Sequence, residues 1–407
     1  MSYNPLPQTG NKVDVNLPLT AFGDMRVAEL TPVLQVSFEY TVTNAEIGVV
    51  EVTNTGTVTQ ADAMCVVNTG ATTGSTADWE TKRNAKYRAG LGGLARFTAL
   101  FTTGVAGTEQ MVGLADTTGT TATHENGYAV GYDGATFSFL RFQNDALLAV
   151  PQSSWDDPMD GTGASGMTLD PTKLNVYFIE FQYLGAGAIT LWIESDTTGV
   201  MLKAHTLPYA NLNTVPSVYN PNFHLMVYAE NGATTANLTV KSSSMSYFVE
   251  GKPKYSEVQQ FHESSGKREK TTVTTEVAIF TIRNKTTYAS KTNFIEIMLE
   301  NVSAAIEASS ANNLGQVRLV RNATLGGTPA YSDISATDSV VEIDTAGTTV
   351  TGGTEKIYVP LAGKNDREVI DLSDYVIILE PGETITVAGL SANSATIDAG
   401  LLWKELF

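Results

Sequence analysis

The sequence predicts an all-β protein of two β-sandwich domains behind an extended N-terminal arm. Three observations predict it. Short apolar–polar alternations recur between turns rich in Gly, Thr and Asn, including 35 glycines. Charged residues are only 17 % of the chain, against about 25 % in an average globular protein. A densely charged stretch near residue 250 then interrupts this charge-poor background. The 407 residues exceed one ordinary domain, and 42 % hydrophobic residues are enough for a real core. The expected layout is an extended docking arm over 1–22, a sandwich over 23–250, a charged linker over 251–270 and a C-terminal sandwich over 271–407.

The arm is read from Pro5, Pro7 and Pro18 with Gly10, Asn4, Asn11 and Asn16, which sustain no period. Phe38, Tyr40 and Val42 alternate with polar residues and predict a half-buried strand. Residues 94–101 form a strand between Gly92-Gly93 and Gly104. Tyr128, Val130 and Tyr132, then Phe137 and Phe139, flank Asp133-Gly134 as a hairpin. Residues 176–183 and 189–194 predict a second hairpin around Gly185-Ala186-Gly187, and 223–229 with 236–247 a third around Asn231-Gly232. Helical spacing is absent, and Pro208, Pro216 and Pro221 cut the best window for it.

The run from Glu250 to Lys270 reads as the interdomain linker. Strands resume with Val277, Ile279 and Thr281. Residues 294–300 follow, with Ile295, Ile297 and Leu299 on one face. Further strands are expected at 316–321, 339–344, 356–361, 375–379, 384–388 and 398–403, at sandwich-like spacing.

Composition excludes several functions. Lys and Arg total 25 against 43 Asp and Glu, a net charge of −18, which repels phosphate backbones and anionic lipid. Nucleic-acid binding and membrane insertion are therefore not expected. The first 20 residues carry neither the basic start nor the apolar core of a secretory signal. Synthesis in a cytoplasm is the expectation. A single cysteine, Cys65, in an apolar run, reads as a small buried hydrophobe.

His124, His205, His224 and His262 lie far apart with no metal-ligand spacing, and no nucleophile elbow, HExxH or P-loop is present. The richest loop is 155–163, where Trp155, Asp156, Asp157 and Asp160 place three carboxylates beside an indole. Such a group can hold Ca²⁺ or a sugar. An EF-hand register fails, because Pro158 and Met167 would occupy ligand positions three and twelve. A structural turn is the leading reading, and an irregular Ca²⁺ or glycan loop the alternative. Tyr177, Phe181 and Tyr183 read as inter-sheet core rather than a stacking platform. The remaining Asp and Glu are placed on loops and outward strand faces, where solvation explains them.

Two stretches, Tyr87–Phe101 (YRAGLGGLARFTALF) and Asp160–Lys173 (DGTGASGMTLDPTK) running into Phe178–Gly185 (FIEFQYLG), resemble a family of tailed-bacteriophage virion structural proteins. Ile282–Tyr288, Leu319–Pro329, Ile370–Asp374 and Leu379–Thr384 resemble the second module of the same family. The likeness spans roughly residues 85 to 407 and leaves the first 85 uncovered. It implies a concanavalin-like jelly roll followed by a smaller sandwich, assembled on a virion. It carries over no catalytic residue, cofactor or metal.

The expectation is thus a structural protein of the virion's outer surface, a fibre, collar or decoration component, and not an enzyme. Its partners would be other virion proteins and copies of itself, a trimer by analogy with fibre-like relatives. The alternative is a receptor- or glycan-binding module used in host attachment.

Overall fold

In a computed structural model, residues 29–44, 47–116, 124–251, 261–308 and 313–407 are described. The expected arm lies outside them. The chain divides into two compact units, Met1–Pro253 and Lys254–Phe407. Both are β-sandwiches, and no α-helix occurs among the described residues.

Unit 1 begins with β1 (Leu30–Ser37), β2 (Gly48–Val52), β3 (Thr57–Ala61), β4 (Met64–Asn68) and β5 (Thr76–Thr81). Next come β6 (Gly93–Phe101), β7 (Glu109–Ala115), β8 (Gly127–Asp133), β9 (Thr136–Gln143) and β10 (Ala146–Pro151). It ends with β11 (Asn175–Phe181), β12 (Ile189–Glu194), β13 (Met201–Leu207), β14 (His224–Glu230), β15 (Thr239–Ser242) and β16 (Ser244–Glu250). One sheet of nine strands runs β13-β12-β11-β6-β15-β4-β3, with β16 bridging β6 and β1. The other, of seven strands, runs β10-β9-β8-β7-β14-β5-β2. Their facing side chains form one core, a jelly-roll sandwich as expected.

Aromatic residues fill that core edge to face. Trp79 meets Phe38 with centroids 4.7 Å apart at 85°, and its indole N–H donates to the Val42 carbonyl at 3.0 Å. Tyr128 packs on Phe223 at 5.5 Å, a pairing worth about 0.5–1.5 kcal/mol beyond area burial. Tyr177 and Phe181 point into this core as predicted.

Three sequence expectations change. Residues 38–42 are irregular: Phe38 and Val42 are buried, whereas Tyr40 between them is 94 % exposed. Strands β14 and β15 flank Asn231-Gly232 but form no hairpin, because β14 pairs with β5 and β7 while β15 pairs with β4 and β6. The chain changes sheets there, held by Asn231, whose side chain accepts the Ser75 N–H at 2.9 Å and donates to the Thr72 carbonyl at 2.8 Å. The charged linker is also shorter than expected. Residues 261–270 belong to β17 (Phe261–Val273), which pairs with Ala395–Leu406 from Phe261 opposite Leu406 to Val273 opposite Ala395. A backbone ladder makes this strand, and its charged side chains suit a sheet edge, where charge blocks further pairing.

In unit 2, a five-stranded sheet (β17, Ala395–Leu406, Glu296–Ala308, Arg367–Asp371 and Ile378–Leu379) pairs with a six-stranded one. The latter runs Ser332–Asp333, Val341–Asp344, Val277–Asn284, Thr384–Ser391, Leu314–Arg321, Thr354–Ala362. Phe280, Ile282, Ile297, Leu299, Val387 and Trp403 lie in the core of this unit. Of the strand expected at 375–379 only Ile378–Leu379 forms, because Tyr375 ends a 3-10 turn, Ser373–Tyr375, and Val376 is left-handed at φ 49°.

Candidate functional site

The loop singled out in the sequence is built into the fold. Trp155 is 4 % exposed; its indole N–H donates to the Val150 carbonyl at 3.0 Å, and its ring lies 6.1 Å from Phe137. It therefore offers no open stacking face. Asp157 accepts the Met159 N–H at 3.1 Å and the Ser165 N–H at 2.7 Å. Asp156 accepts the Thr206 N–H at 3.0 Å, across to β13. Asp160 accepts both the hydroxyl and the N–H of Thr162, at 2.6 and 2.9 Å, and these bonds hold its carboxyl below the usual range. Each carboxylate thus closes a turn or ties the loop to a strand. No group of three His, Cys, Asp or Glu placed to hold a metal ion occurs among the described residues.

Two other surfaces gather chemistry that the sequence did not reveal. The first is the face of the seven-stranded sheet turned away from the main core. Register puts Glu51, Asp78, Tyr228, Met111, Gly131 and Ser138 in one row across it. Glu109 lies opposite Glu230 and Asp133. Met111, Ala129, Leu140, Phe142, Met226 and Tyr228 form an apolar floor. His124, from the segment joining β7 to β8, stands on it with its ring 4.7 Å from Tyr228 and Nε2 3.6 Å from Asp78 Oδ2.

Asp78 is 1 % exposed and neither of its carboxylate oxygens receives a hydrogen bond from the described residues. The expectation that such carboxylates are merely solvated is corrected here: Asp78 and Glu80 are buried. Burial, then the Asp78 charge, raises the Glu51 pKa. Burial, then Glu230 and Asp133, does the same to Glu109. Protons are thus held more tightly than usual around His124, but the centre of this face is closed to solvent.

The second surface is the outer face of the nine-stranded sheet, and it is open. Strand alternation sends Tyr177, Ile179 and Phe181 inward and leaves Val176, Phe178 and Glu180 half-buried outside. Neighbouring strands align Lys203, Trp192, Phe178, Arg96 and Ser246 in one row. Phe248 stands in the adjacent row, opposite Leu94. The Arg96 guanidinium lies between two rings, 4.7 Å from the Phe178 centroid and 4.9 Å from that of Phe248. The Trp192 indole N–H donates to Glu180 at 3.0 Å. Reading Tyr177 and Phe181 as core already turns Phe178 outward; the sequence did not show that Trp192, Arg96 and Phe248 meet it there.

No protein-family model matches the chain, and no curated protein matches it. Solved structures do. A glycosyl hydrolase family 16 protein from Mycobacterium smegmatis is 12 % identical, covering 53 % of this chain and 100 % of its own, with a TM-score of 0.35. An endo-acting O-glycanase of the human gut microbiota is 9 % identical over 53 % and 98 %, TM-score 0.35. Arcelin-5, a lectin-like defence protein of Phaseolus vulgaris, is 8 % identical over 54 % and 99 %, TM-score 0.34. Two of these neighbours are described as glycan-cleaving proteins, so the expectation that the chain is not an enzyme is withdrawn. At this identity the likeness is one of fold and assigns no reaction or ligand to this chain.

Proposed function

We propose that unit 1 is a carbohydrate-recognition module and that the chain displays it on the surface of a virus particle. The observation that carries the recognition half is the open row of Trp192, Phe178, Arg96 and Lys203 with Phe248 beside it. Aromatic faces take up the apolar C–H face of a sugar ring, while Arg96, Lys203 and Glu180 supply partners for its hydroxyls. Placing such side chains on a rigid sheet costs little ordering on binding.

The virion setting rests on the sequence resemblance over residues 85 to 407. In that setting the protein is made in the host cytoplasm, docks on other virion proteins and associates with copies of itself as a trimer.

Each half has its own test. Purified protein is screened against a saccharide panel by isothermal titration, with Trp192→Ala alongside. Saccharide binding that the variant loses supports the recognition reading, and a blank panel sinks it. A reducing-end assay on the same mixtures reports whether bound glycan is also cleaved. Deleting residues 1–22 is expected to abolish incorporation into particles while both units stay folded. Normal incorporation would overturn the docking arm. Light scattering behind a sizing column reports the trimer.

A further inference from the structure

Resting on the carbohydrate reading above, we propose that the saccharide is acidic and that Arg96 receives its carboxylate. The geometry around Arg96 points there. The Phe178 and Phe248 ring centroids lie 4.7 and 4.9 Å from its guanidinium carbon. A guanidinium carries all its donors in its own plane, so stacking by its faces leaves the N–H groups for an acceptor. Its Nε is buried without a hydrogen-bond partner among the described residues, so a ligand is received at the two Nη groups. No carboxylate among those residues pairs with Arg96 either.

The chain carries 43 acidic and 25 basic residues, so acidic partners are plentiful in composition. Arg283, Arg318 and Arg321 of unit 2 each pair with a glutamate. Glu180, in the adjacent row opposite Leu94, is already bonded to Trp192. Glu194 and Glu250 lie two residues along β12 and β16 from Trp192 and Phe248, at the margins of the face.

A planar carboxylate matches the guanidinium fork with two parallel hydrogen bonds. The rings strengthen this contact by keeping water from the cation. Lys203 ends the same row three strands away, about 14 Å by strand spacing, where a second acidic residue of a polymer can reach it. The face is therefore suited to a chain of uronic acids, with sugar rings over Trp192 and carboxylates at Arg96 and Lys203.

The test is binding of the full chain to polygalacturonate, its methyl-esterified form, neutral dextran and dextran sulfate. Polygalacturonate is expected to bind, and esterification or Arg96→Gln to weaken it by about tenfold to a hundredfold, the worth of a charge-assisted pair. Arg96→Lys should recover only part, because the ammonium cannot bond in parallel. Lys203→Gln, on an exposed side chain, should cost several-fold and guards against misfolding of the Arg96 variants. Equal binding to acid and ester overturns the acidic ligand while leaving the carbohydrate reading intact. Preference for dextran sulfate alone overturns the carboxylate geometry. No binding to any polymer, or a change of oligomeric state on Phe248→Ala, overturns both readings, the latter by making this face a subunit interface.

Discussion

The indole N–H of Trp155 donates to the main-chain carbonyl of Val150 at 3.0 Å, turning the side chain into the sandwich rather than out of it. Trp155→Ala should therefore lower the stability of unit 1 by about 3–5 kcal/mol, the usual cost of emptying a buried Trp site. Trp155→Phe keeps most of the packing but leaves Val150 without its donor, for about 1–3 kcal/mol. Urea unfolding measures both. Unchanged stability with lost saccharide binding would return this loop to the role of a ligand site.

Glu109 supplies a pH test. Burial, then the Glu230 and Asp133 charges, raises its pKa above the ordinary 4.5, so the folded state binds this proton more tightly than the unfolded chain. The resulting stabilisation is complete below 4.5 and lost as pH rises through the folded value. Glu109→Gln, neutral throughout, should raise the melting temperature of unit 1 at about pH 7, with the gain vanishing near about pH 4. A gain of equal size at both pH values would show that charge repulsion is not the cause.

His224 works in the opposite direction. It is half-buried, and burial lowers its pKa from 6.5, so the fold favours the neutral ring. Stability from this group is present above 6.5 and is lost as pH falls through the lowered folded value. Comparing His224→Gln with the parent across mild acid should show a shallower loss for the variant. Parallel curves would rule out a contribution from His224.

Glu405 anchors unit 2. One carboxylate oxygen accepts the Ser339 hydroxyl at 2.7 Å and the Trp403 indole N–H at 3.1 Å. The other accepts the Val340 N–H at 2.7 Å. Glu405→Ala would leave three buried donors without an acceptor and should cost about 3–5 kcal/mol. Glu405→Gln should cost less, since its carbonyl still accepts. Unfolding followed by near-UV circular dichroism measures this; a loss under about 1 kcal/mol would mean the donors find other partners.

Cys65 is completely buried, and burial pushes its thiol pKa far up. The thiolate is the reactive form. A thiol reagent should therefore label native protein only as fast as unit 1 opens, and at once in denaturant. Rapid native labelling would contradict this packing.

Much of the architecture was legible in the chain. Residues 94–101, 128–139, 176–194 and most strands after 277 were readable because period-two alternation and turn residues are local properties. They also fixed Tyr177 and Phe181 as core. The sequence by itself thus determined the all-β class, the positions of most strands and the inertness expected of Cys65.

Only the tertiary structure decided which strands share a sheet and which faces are covered. Asn231-Gly232 looks like a hairpin turn, yet it carries the chain from one sheet to the other, because β14 and β15 find partners remote in sequence. The charged residues 261–270 look like a linker until Ala395–Leu406 supplies a ladder for them. Asp78 and Glu80 look solvated on an alternating strand, until His124 and the second apolar cluster close over that face. Arg96 likewise gains its two aromatic walls from Phe178 and Phe248, which lie on different strands far apart in the chain. Alternation is written in neighbouring residues, whereas burial and partnership are properties of non-local contacts, which is why the candidate site emerged only from the fold.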